Sequence, residues 1–210
     1  MNDAVESTSQ PQNSVAFFDR QFLLQIEQQD FHLNPFETQA LLHLTGKMLD
    51  FGCGLGNLAI AAAERGCQVL ALDASPVAIA ALRRRAATAS LPVEAIETDL
   101  RTFGIEGKFD SVVSIGLLSF LDCATAMRVL DMLLKSVAPG GVAVINTLIV
   151  GTTWIGMFDA ADCCLLPRDE LHRRFAEWEI LRSEFRDFPA PGGTIKSFAT
   201  VAARKPATNA

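Results

Sequence analysis

The sequence has no run approaching the ~18 to 20 consecutive apolar residues of a membrane-spanning helix. It also lacks a basic-then-apolar start of the kind that marks a secretory signal. A cytoplasmic protein with no membrane partner is therefore expected. Excess basic charge is missing too: the net charge is −6 over 210 residues, so a nucleic acid would have to bind against the overall field and none is expected as a partner. The five cysteines are an odd number without C-x-x-C spacing, which argues against a disulfide scaffold, a zinc ribbon or any metal site. No internal repeat and no catalytic triad is visible. What is present is ordinary: half of the residues are hydrophobic and 20% are charged, enough for one domain with a substantial core and too few for two.

The most informative stretch is KMLDFGCGLGN, Lys47 to Asn57. A short apolar strand runs into Asp50 and then into Gly52, Gly54 and Gly56 at every second position. Glycine can take positive φ and lets a ligand approach the backbone, so a strand, a tight turn and a helix N-terminus should form a ligand cradle. A dinucleotide fingerprint, G-x-G-x-x-G, would need its third glycine at position 57, where Asn57 stands. A carboxylate two residues ahead of the first glycine suits a ligand that carries an amino group better than one that carries a pyrophosphate.

Residues 1–14 are polar and aperiodic and should be a disordered tail, as should 206–210. From Val15 to about Gln29 the apolar residues recur at helical spacing, and a second helix is expected from Pro35 to near Thr45. After the glycines come a helix from Leu58 to Arg65, the apolar strand ending in Asp73, and a helix capped by Ser75-Pro76 on which Arg83, Arg84 and Arg85 read as a solvated face. Asp73 at a strand tip can accept both hydroxyls of a ribose. The third strand, VEAIETD, ends at Asp99-Leu100, whose carboxylate and backbone N–H suit the exocyclic amine and a ring nitrogen of adenine. FDSVVSIGLLSFL gives the fourth strand, with Ser114 near its tip, and a helix from about Asp122 to Val137 is stopped by Pro139-Gly140-Gly141, which starts the fifth strand, GVAVINTLIV. The helix PRDELHRRFAEW precedes two final strands separated only by PAPGG, which must form an antiparallel hairpin.

The glycine motif resembles motif I of the class I S-adenosylmethionine (SAM) methyltransferases. Together with FDSVVSIGLLSFL, the PGG turn, DELHRRFAEWEIL and FATVAARK, it makes Lys47 to Lys205 similar to the tellurite-resistance methyltransferases. The resemblance implies an α/β fold with a seven-stranded, mostly parallel sheet in the order 3-2-1-4-5-7-6, helices on both faces, and one domain over 15–205. It implies a helical lid over 15–45, with Phe18, Arg20 and His32 as candidate acceptor contacts. SAM would be held by Asp50, Gly52, Cys53 and Gly54 at its methionine end, by Asp73 and Ala74 at the ribose, by Asp99 and Leu100 at adenine, and by Ser114 beside the transferred methyl. S-adenosylhomocysteine (SAH) would be the product. Where that family carries a His-Arg pair in the final hairpin, this chain reads FRDFPAPGGTIKSF, in which Arg186 and Lys196 are the cations available to a substrate.

Methyl transfer from a sulfonium needs positioning and water exclusion more than a dedicated base. The expected activity is thus transfer to a small-molecule acceptor, a metalloid oxyanion such as tellurite included, by a monomer or homodimer. Cys163-Cys164 could hold a soft element, although cysteine more often packs as a small apolar residue. An NAD-binding oxidoreductase and a non-catalytic SAM-binding module are the competing expectations.

Overall fold

The structure, a computed structural model, describes residues 13–156, 158 and 162–207. Of the two expected tails, residues 1–12 and 208–210 lie outside the described residues, and the first helix already begins at Asn13.

Seven strands make one sheet: β1 (Lys47–Phe51), β2 (Gln68–Asp73), β3 (Val93–Glu97), β4 (Phe109–Ile115), β5 (Val137–Leu148), β6 (Glu179–Ala190) and β7 (Thr194–Arg204). Their order is β3-β2-β1-β4-β5-β7-β6, as expected. The first five strands pair in parallel, and β7 runs antiparallel to both β5 and β6. The order reverses between β1 and β4, so a crevice opens above their C-terminal ends.

The helices are α1 (Asn13–Glu27), α2 (Pro35–Ala40), α3 (Asn57–Glu64), α4 (Pro76–Thr88), α5 (Cys123–Ser136) and α6 (Glu170–Arg174). Successive residues of a strand point to opposite faces, and β1 shows it: Met48 enters a core with Leu58, Ile79 and Leu82 from α3 and α4, whereas Leu49 enters another with Leu130, Leu133 and Phe175. α5 presents Ala126, Val129, Leu130 and Leu133 on one buried face, and each fully buried leucine contributes roughly 2 kcal/mol.

Three expectations about local structure are corrected. Pro139-Gly140-Gly141 does not precede the fifth strand but lies inside it, in a bulge where the pairing jumps from Phe109↔Val137 to Ser111↔Val142. The second helix stops at Ala40 instead of running to Thr45, leaving Leu42 exposed. Arg83 and Arg84 are exposed as expected, Arg83 also donating from Nε to the Ala95 carbonyl at 2.8 Å, but Arg85 is not part of a solvated face: it is half-buried, and its Nη1 donates to Leu55 O and Asn57 Oδ1, each at 2.8 Å. Asn57 also donates through Nδ2 to the His32 carbonyl, so it ties the α1–α2 connection to the glycine turn.

Candidate functional site

Asp50 is the penultimate residue of β1, flanked by β2 and β4, and it is only 4% exposed. Its Oδ2 has no hydrogen-bond partner among the described residues. Burial, with the charges of Glu37 and Asp73 adding to it, pushes the carboxyl up to about 8. A buried polar atom left unpaired is costly, so its position on a cavity wall marks a place where a ligand supplies the missing donor.

Gly52 and Cys53 donate their N–H groups to the Leu72 carbonyl at 2.8 and 3.0 Å, which staples the turn to β2. Gly54, at φ +51°, donates to Asp73 Oδ2 at 2.8 Å, and a Cβ there would crowd the Phe22 ring at 3.2 Å. Asp73 Oδ1 in turn accepts from the Ser75 N–H at 2.9 Å. Burial raises the Asp73 carboxyl, against the opposing pull of the Ser75, Gly54 and Ala74 amides. Ser75 caps α4, and its hydroxyl meets Asp19 of α1. At the tip of β3, Asp99 pairs with Arg101 through Oδ1–Nε and Oδ2–Nη2 contacts of 3.0 and 2.8 Å, and these hold its carboxyl below the ordinary range.

These tips open into one cavity of about 650 Å³. It extends from Asp99 and Leu100, past Asp73, Ala74, Gly54, Cys53, Gly52 and Asp50, to the β6–β7 hairpin. Phe18 and Phe22 of α1 and Phe120 roof it, with Phe18 edge-on to Phe120 at 4.8 Å and stacked on Phe22 at 5.8 Å. His32 stands exposed at its mouth beside Asp30 at 2.9 Å, and Lys196 lines the hairpin end.

Other expected residues lie elsewhere. Ser114 is wholly buried within β4, its hydroxyl without a partner among the described residues, and Ile115, Gly116 and Leu117 form the wall instead, because the strand's tip falls beyond Ser114. Arg20 is exposed outside the cavity: two residues from Phe18 turn a helix by roughly 200°, onto the opposite face. Arg186 pairs with Glu184 at 3.1 Å and is not among the lining residues. The cysteine expectation also changes, since Cys123 and Cys164 form a disulfide across 41 positions of sequence. Cys164 therefore has no thiolate to offer a soft element, and Cys163 beside it is free and partly exposed.

Sequence reasoning missed Glu37 and Asn146. Glu37 closes a capping box by accepting from the Asn34 N–H at 2.8 Å, and burial raises its carboxyl. The pattern Asn34-Pro35-Phe36-Glu37 carried that signal. Asn146, fully buried near the tip of β5, donates through Nδ2 to Thr200 Oγ1 at 2.7 Å, while its Oδ1 has no partner among the described residues. A lone asparagine in the apolar run VAVINTLIV was its signature.

Residues 48–141 match the family described as "Methyltransferase domain". The chain carries a class I methyltransferase domain. The domain is similar in fold to TehB from Haemophilus influenzae, with a TM-score of 0.71 at 21% identity over 82% of this chain and 62% of that one. In sequence it is 29% identical to Hemagglutinin 1 of Eikenella corrodens over 173 residues, 76% of this chain and 55% of that protein. It is 31% identical to a ubiquinone biosynthesis O-methyltransferase of Xanthomonas oryzae pv. oryzae over 157 residues, 67% of this chain and 62% of that protein. The chain thus spans little more than half the length of these curated relatives. Among the described residues no helix is long and apolar enough to cross a membrane.

Proposed function

We propose that this protein transfers the methyl group of SAM to a small organic acceptor. The observation that carries the reading is the buried, unpartnered Oδ2 of Asp50 beside the glycine turn. It calls for a cationic donor, and the α-ammonium of SAM is one. Asp73 keeps lone pairs for a ribose diol, because two carboxylate oxygens offer about four acceptor sites and only the Gly54, Ser75 and Ala74 amides draw on them. Asp99 and the Leu100 N–H lie at the adenine end. Bound there, SAM supplies a methyl activated by the sulfonium charge and leaves as SAH.

The chain's own residues then position the partners and keep water out. Phe18, Phe22 and Phe120 form an apolar roof, and α1 is latched to the floor through Asp19 and Ser75. On this reading α1 and α2 act as the lid. No side chain needs to take a proton unless the acceptor must lose one. The acidic net charge of −6 favours a small molecule over a polyanion.

The dinucleotide alternative is weakened by Asn57, whose side chain is committed to Arg85 and His32. A non-catalytic module would have little use for a cavity that continues to the hairpin. The sequence resemblance to the tellurite-resistance methyltransferases favours a metalloid oxyanion, but the far wall is built from phenylalanines, which favours an organic acceptor. In a cytoplasmic setting, where thiols are kept reduced, Cys123 and Cys164 would be joined only under oxidation. Calorimetric titration with SAH and with NADH tests the reading. Heat of binding from SAH alone supports it, and heat from NADH alone overturns it.

A further inference from the structure

The tips of β1, β2 and β3 are taken up by the cofactor on the reading above, on which this inference rests. The rest of the cavity wall comes from α2, β5 and the hairpin. There three rings from three separate elements form an apolar corner: Phe36 lies 4.9 Å from Phe198 and 5.6 Å from Phe188, and Phe188 lies 5.8 Å from Phe198. Tilted and edge-on rings at these separations leave faces and edges suited to another ring.

Two polar groups interrupt the corner: Asn146, whose Nδ2 is bonded to Thr200 but whose Oδ1 is not bonded among the described residues, and Lys196. Asn146 is 0% exposed, lines the cavity and carries an unpaired Oδ1, so it seeks an O–H or N–H donor. Lys196 lies two residues before Phe198 on the same strand face and is the cross-strand neighbour of Phe188. Its ammonium stands 4.0 Å above the Trp154 ring, and among the described residues it has no carboxylate partner. Glu37, which lines the same cavity, is already committed to the Asn34 amide. Partial burial lowers the Lys196 ammonium's affinity for its proton, a penalty that an incoming anion would remove.

We infer that the acceptor is a hydroxylated aromatic acid. Its ring packs in the Phe36–Phe188–Phe198 corner, its hydroxyl donates to Asn146 Oδ1, and its acidic group pairs with Lys196. In the transfer the S–CH3 bond of SAM breaks as the hydroxyl oxygen bonds to that methyl, SAH leaves with a neutral sulfur, and the hydroxyl proton passes to solvent through the cavity mouth beside His32. A bare metalloid oxyanion fits poorly, because its hydration shell would have to be replaced by one lysine and an exposed histidine among phenylalanines.

The probe is 6-hydroxy-2-naphthoate, titrated into the full chain saturated with SAH. Quenching of Trp154 fluorescence gives the readout; the other tryptophan, Trp178, packs against Phe175 at 5.2 Å on the far side of the sheet. The acid should bind at least about tenfold tighter than its methyl ester, as expected for a charged hydrogen bond. Lys196→Met should erase that preference while leaving SAH affinity within about twofold, and Phe198→Ala should weaken acid and ester alike. Equal binding of acid and ester by the unaltered protein overturns the inference, as does displacement of the probe by tellurite. If SAH binds and the naphthoate does not, this inference alone falls. If SAH fails to bind, the methyl-transfer reading falls with it.

Discussion

The backbone N–H of Gly54 donates to Asp73 Oδ2 at 2.8 Å, so the turn after β1 and the acidic tip of β2 form a single unit. Asp73 holds that unit from both sides, since its other oxygen accepts from Ser75. Asp73→Ala should therefore do two things at once. SAH affinity should drop by about a hundredfold with the loss of the ribose contacts, and two stranded amides should lower stability by about 1–3 kcal/mol. Calorimetry and urea unfolding measure the two effects separately.

Asp50 makes binding depend on pH with a definite sign. Its carboxyl is raised to about 8, so in the ligand-free protein it is mostly neutral at neutral pH. Pairing with an ammonium requires the charged form, so SAH binding should release protons. The affinity should climb between about pH 6 and 8 and then level off. Titrations in buffers of different ionisation enthalpy count the released protons, and Asp50→Asn should abolish the release.

The same shift sets the stability of the empty protein. A carboxyl raised on folding contributes stability that is fully present below its unfolded value and lost as pH rises through its folded value. Glu37 and Asp73 are shifted in the same direction. Urea midpoints of the ligand-free protein should therefore fall as pH rises between about 4 and 8. Saturating SAH should flatten that trend.

Gly56 stands at φ +69° as the cap of α3, and a Cβ there would come within 2.4 Å of Leu82 Cδ1. This glycine lets α3 and α4 approach. Gly56→Ala should destabilise the fold by about 1–3 kcal/mol through backbone strain and overpacking. The urea midpoint of the purified variant checks this.

The Cys123–Cys164 bond closes a loop of 41 positions. By the chain-entropy argument its removal should lower stability by up to about 4 kcal/mol. Reductant should shift the unfolding midpoint of the unaltered protein. It should leave that of a Cys123→Ser, Cys164→Ser double variant unmoved.

Much of this architecture could be read from residue pattern. Short connections between apolar runs dictated parallel pairing, and PAPGG was too short for anything but a hairpin. Asp50, Gly54, Asp73 and Asp99 could be grouped because each ends or follows a strand, and strand ends share one edge of a sheet. Features that depend on side-chain direction or on distant contacts were not legible. Arg20 failed by helical phase and Ser114 by its place within β4. Arg85 looked like surface because its partners, Leu55 and Asn57, lie 30 and 28 positions away. The disulfide was hidden for the same reason, and the phenylalanine corner needs α2 to fold back against the hairpin before it exists.

A crystal structure of the protein with SAH tests the central claim most directly. The account predicts the amino group of SAH within about 2.7–3.2 Å of Asp50 Oδ2, the ribose at Asp73, and adenine beside Asp99 and Leu100. SAH bound away from Asp50, or with its amino group turned from that carboxylate, would contradict it.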